Sequence, residues 1–598
     1  MNRLLAYYQR ELAFLKEHSK AFASRFPKIA HRLGITDGTS EDPHVERLVE
    51  SFALLTSRIH QRLDDDMPEM TEALLTSIAP QFLRSKPSTC IVEVEPDRHV
   101  SSITEKKTIP PGSSLFTRHV AETVCQFKTI YPVVLLPLSI EKARVFFNDD
   151  DLFWHLRIDF KVWSGGIVAD ESLRIFLHGQ SNIVNIIYTL LCSEVYKLTL
   201  CWDGDTYPMC SSAISAVGFH QNDSIITQDP RVAPIHALLQ DYFFFPQKFH
   251  FLDIKLPDTF SAGANTVFYL EIVFNRMHLT HQLEKMVKTI DAQFFRLNCT
   301  PAVNMFSQRA EPIILTENTA EYPVVADHRE RHMISVWAIN HVYIQQKQDD
   351  TVITMPVQPL LGIDYSRSEG SSNIFWQSFQ RESKFATGHQ YSMFIAFANR
   401  SGSSISPRAD LISLSLTCTN HNIPSQMING HSEGDFDSDL PVPALKIRAL
   451  SRPTQPVSPP EKSEMRWRLI SLLSLNYMLL SGHKGGQVLR EQLKLYNWNE
   501  NPSITRMINM ILHVDVKPVT SRIIANDPQS LARGVSIILT FSHEALHEPE
   551  YFLMCCFIER YLALYAPVNS FTQVMTQIEH EEYTLRRWPV RAGKLSWI

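Results

Sequence analysis

Two histidines four residues apart with a glutamate between them, in the string HEALH from His543 to His547, form the most catalytic-looking motif in this chain. On an α-helix both imidazoles would face one way and could hold zinc, with Glu544 as the general base of a metallopeptidase. The flanks argue against that chemistry. RGVSIILTF before the motif reads as a strand, and Pro549 stands two residues after His547, so less than one helical turn is left to hold the ligands. A helix-borne carboxylate such as Glu559 could be imagined as a third ligand, but the loop would have to rearrange to meet it. The string reads as a polar strand-to-helix loop.

The other candidate motifs fail for similar reasons. Asp435, Asp437 and Asp439 imitate the opening of a calcium loop, but such a loop needs Gly sixth and Glu twelfth, where this chain has Leu440 and Lys446. Gly165-Gly166 and Gly485-Gly486 lack the further glycines and the Lys-Ser/Thr of a phosphate loop, and read as turns and caps. There is no CxxC, and the nine cysteines are scattered, as reduced thiols of a cytosolic protein would be. Cys555 and Cys556 sit among apolar residues and read as core. The aromatic run QDYFFFPQKFHFLDIKL has no basic groove around it and reads as core or partner interface. No catalytic residue, metal site or cofactor is expected.

Composition points the same way. The 598 residues suggest about four domains, and 57 basic against 63 acidic residues (net −6) exclude a chain-wide nucleic-acid footprint. Glycine numbers only 20, less than half of ordinary usage of about 7%. No apolar stretch approaches the ~20 residues of a membrane span, and the N-terminus lacks the uninterrupted apolar region of a signal peptide. A soluble, cytoplasmic protein is the expectation.

The fold class expected is α+β and multidomain: a helical N-terminal unit over 1–86, a strand-rich domain with short helices over 87–300, a second strand-rich domain over 301–450, a Pro-rich linker at 451–464 and a C-terminal α+β domain over 465–598. In the first unit Leu4, Leu5, Tyr8, Leu12 and Leu15 recur at helical spacing. A second helix opens with Asp42 as cap and Pro43 at its first position. Its Val45, Leu48, Val49, Phe52, Leu55, Ile59 and Leu63 form an apolar stripe whose burial would yield ~10–20 kcal/mol gross. In DLFWHLRIDFKVW the period is two: Leu152, Trp154, Leu156, Ile158, Phe160 and Val162 share one face, and His155, Arg157, Asp159 and Lys161 point to solvent. Ile508, Met510, Leu512, Val514 and Val516 alternate as a strand, and so do Val535, Ile537, Leu539 and Phe541. NGHSEGDFDSDLPVP (429–443) and SRPTQPVSPPEK (451–462) have the composition of linkers, the second also of a hinge.

Four blocks then carry a resemblance. They are YYQRELAFLKEHSKAFASRFPKIAHRLGI with DPHVERLVESFALLTSRIHQRLDDDMPEMTEALL; LLQDYFFFPQKFHFLDI; FRLNCTPAVNMFSQRAEPIIL with EYPVVADHR; and RWRLISLLSLNYMLL through RGVSIILTF to ERYLALYAPVNSFTQV and WPVRAGKL. In this order they resemble the TssF (VasA/ImpG) family of type VI secretion baseplate proteins over the whole chain. Residues 333–345 and 366–440 match that pattern poorly, and HEALHEPE stands where a small, Gly-containing stretch is expected. The resemblance implies a non-enzymatic subunit similar to the wedge proteins of contractile phage tails. It implies two copies joined to one TssG, with TssK and TssE in the wedge, and a link between the VgrG hub and the sheath. It also implies docking at the inner-membrane complex through the baseplate, with neither nucleic acid nor direct membrane insertion. The alternative is a wedge or adaptor protein of a phage-like contractile particle. The face of Leu4, Leu5, Tyr8, Leu12 and Leu15 is the expected partner interface, through an intermolecular helical bundle.

Overall fold

Pro43 and Pro68 each stand at the first position of a helix, where the missing N–H leaves no bond unmade. The computed structural model describes residues 2–28, 35–36, 39–40, 43–64, 68–96, 106–118, 123–168, 172–226, 234–275, 280–316, 319–348, 351–360, 374–382, 391–399, 411–440, 445–460, 463–473, 485–522, 531–563, 566, 570–580 and 584–592. It divides into two units: Met1–Ile78 with Pro460–Ser474, and Ala79–Pro459 with Leu475–Ile598.

In the first unit, α1 (Asn2–Arg25) lies along α2 (Pro43–Asp64), and Lys16 pairs with Glu46 at 3.8 Å. Asp42, the expected cap, lies outside the described residues. Next, α3 (Pro68–Ile78) packs on the helix Ser463–Leu473 with Leu75 and Leu469 buried and Arg466 Nη1 2.7 Å from Glu72 Oε1.

The second unit is organised around a closed barrel whose strands are far apart in the chain. It begins with β1 (Thr89–Pro96), β2 (Ser114–Thr117) and β3 (Gln126–Thr129). A first insertion then builds an antiparallel sheet from β4 (Leu138–Asn148), β5 (Phe153–Val162), β6 (Val195–Trp202), β7 (Asp205–Met209) and β8 (Val267–Phe274), in the order β7-β6-β8-β5-β4. The same insertion carries α4 (Ser181–Ser193) and α5 (Pro234–Phe244). The barrel resumes at β9 (Cys299–Val303). It is interrupted again by an eight-stranded sheet that includes the antiparallel pair β10 (Ser335–Gln348) and β11 (Leu411–Thr419). β12 (Phe436–Ser438) and β13 (Leu445–Ala449) close it in the order β9-β1-β13-β12-β2-β3. Its interior is filled by Val92, Val94, Leu115, Phe127, Phe436 and Ile447, so the barrel is packed solid.

The C-terminal part holds α6 (Gly485–Lys494) and α7 (Pro502–Asn509), followed by β14 (Ile511–Arg522) and β15 (Leu531–Phe541). There α8 (Tyr551–Ala563) connects β15 to the parallel strand β16 (Ser570–Ile578), since parallel neighbours need a long crossover.

Several expectations are corrected. The polar stretch 429–443 is no linker: its Phe436 lies in the barrel core, because a three-residue strand needs only one large inward side chain. The Pro-rich segment does pack. Thr454 N–H donates to Thr89 O (2.9 Å) and Val457 N–H to Lys86 O (2.9 Å), so the residues between the prolines supply the amides that proline lacks. Ile508 belongs to α7, and the strand begins only at Ile511; both are buried, so alternation of apolar types could not separate them. His155 is buried rather than solvated, held between Asp151 Oδ2 (2.8 Å) and Glu271 Oε1 (3.0 Å).

Candidate functional site

His543–His547 folds as a five-residue 3₁₀ helix after β15. In that geometry residues i and i+4 are rotated about 120° apart, against about 40° on an α-helix, yet the two rings stay near each other. Their centroids lie 5.9 Å apart. Glu559, the imagined third ligand, is buried in α8 and bound to Arg591. Burial raises its carboxyl, and the Arg591 charge opposes that shift.

Asp435 and Asp437 are equally occupied, and Asp439 is exposed. Asp435 is buried, and its carboxylate accepts backbone N–H groups from Gly430 (3.0 Å), His431 (3.1 Å) and Ala449 (2.9 Å), which ties the loop before β12 to the end of β13. Asp437 points the other way and pairs with Arg118 Nη2 at 2.5 Å. Among the described residues no group of three or more His, Cys, Asp or Glu could hold a metal ion.

The aromatic run supplies core rather than a stacking platform. Tyr242, Phe243, Phe245, Phe249 and Phe251 are all buried, and Tyr242 stacks on Phe557 of α8 at 4.3 Å. Several polar groups inside this core find local partners, although Gln240 Nε2 has none. Lys248 Nζ lies 2.6 Å from Asp241 Oδ2, and Lys86 Nζ donates to Gln240 Oε1 at 2.5 Å. Burial lowers both ammonium groups, Lys86 to about 8, with Asp241 opposing the shift in each case. His236 and His250 are pushed down to about 4 by burial and stay neutral, bonded to Tyr496 and Asn185. Cys555 and Cys556 are buried with thiols raised by desolvation, the opposite of an activated nucleophile. The cavity bounded by Asn185, Tyr242, His250, Arg452 and Glu550 measures about 190 Å³. Ligand sites usually take 300–1,000 Å³, so it is small for one.

What the structure does present is apolar surface on the first unit. The α2 stripe expected in a core is largely outside: Leu48, Phe52, Leu55 and Ile59 are 69%, 60%, 59% and 58% exposed. Instead α2 buries Ala53 and Ser57, with Val49 and Thr56 half-buried. Small residues let the α1 and α2 backbones approach closely, and the large ones are turned away. The exposed four are spaced 4-3-4, the 3.5-residue period of a coiled-coil seam. That spacing is the signal the sequence carried and that the broader seven-residue stripe hid. Among the expected interface residues, Tyr8, Leu12 and Leu15 are half-buried on α1. The side chains of Leu4 and Leu5 lie outside the described residues. Phe14 on the same helix is exposed and contacts His18, ring to ring, at 4.0 Å.

Occupied polar groups, a packed barrel and an uncovered helical seam define a protein of the contact-making class, with apolar surface as its accessible chemistry. The comparisons agree on which one. The chain belongs to the "Type VI secretion system, TssF" family, whose profile matches residues 1–595. It is 28% identical over 621 aligned residues, 99% of each chain, to the type VI secretion system component TssF1 of Pseudomonas aeruginosa. Among solved structures it is similar to a chain of a type VI secretion TssK-TssF-TssG baseplate subcomplex, with TM-score 0.72 and 23% identity over 92% of this chain and 99% of that one. It is also similar to a chain of a type VI baseplate complex, with TM-score 0.61 and 21% identity over 99% of each. Among the described residues no helix is long and apolar enough to cross a membrane.

Proposed function

We propose that this chain is a non-enzymatic structural subunit of the type VI secretion baseplate wedge. Two copies join one TssG, and with TssK and TssE the wedge links the VgrG hub to the contractile sheath. In this reading the subunit resembles contractile-phage wedge proteins and works in the cytoplasm, docked at the inner-membrane complex through the baseplate. The α1–α2 pair, with Tyr8, Leu12 and Leu15 and the backbone positions of Leu4 and Leu5 on α1, is the surface that enters a helical bundle with TssG.

The observation that carries the reading is the uncovered seam of Leu48, Phe52, Leu55 and Ile59. A soluble helix does not keep a 3.5-residue apolar repeat in water unless another helix covers it, because knobs at these positions gain only when they enter holes on a partner. Family membership and the likeness to a chain of a TssK-TssF-TssG subcomplex support TssG as that partner. Co-expression of the full chain with TssG, followed by mass measurement of the purified complex, tests it. A two-to-one heterotrimer is expected, and two proteins that elute separately as monomers overturn the reading.

A further inference from the structure

The hairpin β4–β5 ends in a second uncovered apolar feature, on the other unit. Its last paired residues are Asn148 and Phe153, and the turn between them is Asp149-Asp150-Asp151-Leu152. Leu152 has φ +60°. Among the described residues the other non-glycine positions in that left-handed region are Asp203, Asn265, Asn298, His421, Glu500 and His580, all polar, whereas Leu152 is aliphatic and 50% exposed. Asparagine or glycine would adopt this backbone at lower cost. Rings flank the turn on both faces. Phe153 stacks on Tyr196 with centroids 5.1 Å apart and planes 8° apart, and Tyr196, at a register shift of β6, is 64% exposed. On the opposite face Phe147, 44% exposed, meets Trp154 edge-on at 5.5 Å. At the tip, Asp151 is engaged by His155 and by the Phe153 N–H, while Asp149 and Asp150 are exposed.

We infer that this hairpin end is a docking finger that inserts into an apolar cleft of a partner protein whose floor carries lysine or arginine. Apolar groups on both faces fit a cleft better than a flat surface. The acidic tip selects the sign of the charge at its base by complementarity. A strained, exposed leucine is stability given up for contact, as at other functional positions. The surface is distinct from the α2 seam and acts independently of it.

Site-specific photo-crosslinking of the full chain in cells running the secretion machine tests the inference. The probe is Tyr196→p-benzoylphenylalanine, with Val267→p-benzoylphenylalanine as an exposed control. One cross-linked segment is expected from residue 196, apolar in sequence and flanked by at least two Lys or Arg. Its yield falls at least about tenfold in an Asp149→Lys/Asp150→Lys background, because like charges then oppose. Leu152→Asn gives the same loss while the melting temperature of the isolated chain stays level or rises, which separates lost docking from lost folding. Co-purification with TssG persists in all these variants, so a failure of the TssG assignment reads out separately in the parent chain. A cross-link that survives the charge reversal, one that lands on an acidic or second-copy segment, or none beyond the control, overturns the inference.

Discussion

Replacing Phe52 and Leu55 together by Asp attacks the centre of the α2 seam. Full burial of such side chains is worth about 1.5–3 kcal/mol each. The four seam residues are between 58% and 69% exposed, so a covering helix gains about 4–7 kcal/mol from them. The two central residues account for about half, or 2–4 kcal/mol. Their loss weakens the complex with TssG about 30- to 1,000-fold, before the added cost of desolvating two carboxylates. In the isolated chain the same residues mostly face water, so the lost partial burial and the helix propensity of Asp together oppose the change by about 1–2 kcal/mol per site. The assay is titration of the purified chain against TssG by calorimetry or mass photometry, with circular dichroism and thermal melting of the isolated variant alongside. Ala53→Leu is the converse control, because it forces α1 off α2 and lowers the melting temperature of the isolated chain. Unchanged TssG affinity in the double-Asp variant refutes the seam. Unfolding of that variant on its own refutes the exposure argument instead.

Three further outcomes follow from the second unit. Lys86 titrates near 8 in the folded chain against 10.5 in its reference state, so the unfolded chain binds more protons between those values. Its contribution to stability therefore rises with pH across that window by about 3 kcal/mol, and urea midpoints at pH 7.5, 9 and 10 should lose this slope in Lys86→Met. Asp435→Ala strips three backbone amides of their acceptor and destabilises by about 3 kcal/mol, whereas Asp437→Ala at its exposed ion pair costs less than about 1. Calcium should alter neither melting curve. Gly486→Ala would place its Cβ 2.5 Å from the Leu512 carbonyl oxygen, a backbone atom that cannot swing away. A loss of about 1–3 kcal/mol is expected in thermal melts.

Much of the local structure was legible because element type follows from nearby residues. The period-two run from Trp154 to Val162 lies on β5, although Leu152, expected on the same face, falls in the turn before it; Val535, Ile537, Leu539 and Phe541 lie on β15, and Cys555 and Cys556 are buried in α8. That HEALH forms no α-helix was legible too, since a strand before it and Pro549 after it left no room for an α-turn. Less could be read where two elements abut with the same apolar content, as at Ile508 and Ile511. His155 shows the limit for polar residues: its type said solvent, and two carboxylates from a turn and a neighbouring strand made burial tolerable.

By itself the sequence determined most of the segments that are helix or strand and, through its blocks in order, the family. The tertiary structure alone decided which side of α2 is buried. Periodicity shows that a face is apolar, but it does not say whether the face meets its own chain or another, and here Ala53 and Ser57 took the intramolecular contact because small residues let two backbones approach closely. Tertiary structure also decided that Phe436, in a stretch with the composition of a linker, closes a barrel begun at Thr89. Such pairing depends on strands brought together across two inserted sheets, and no local pattern encodes a neighbour that distant.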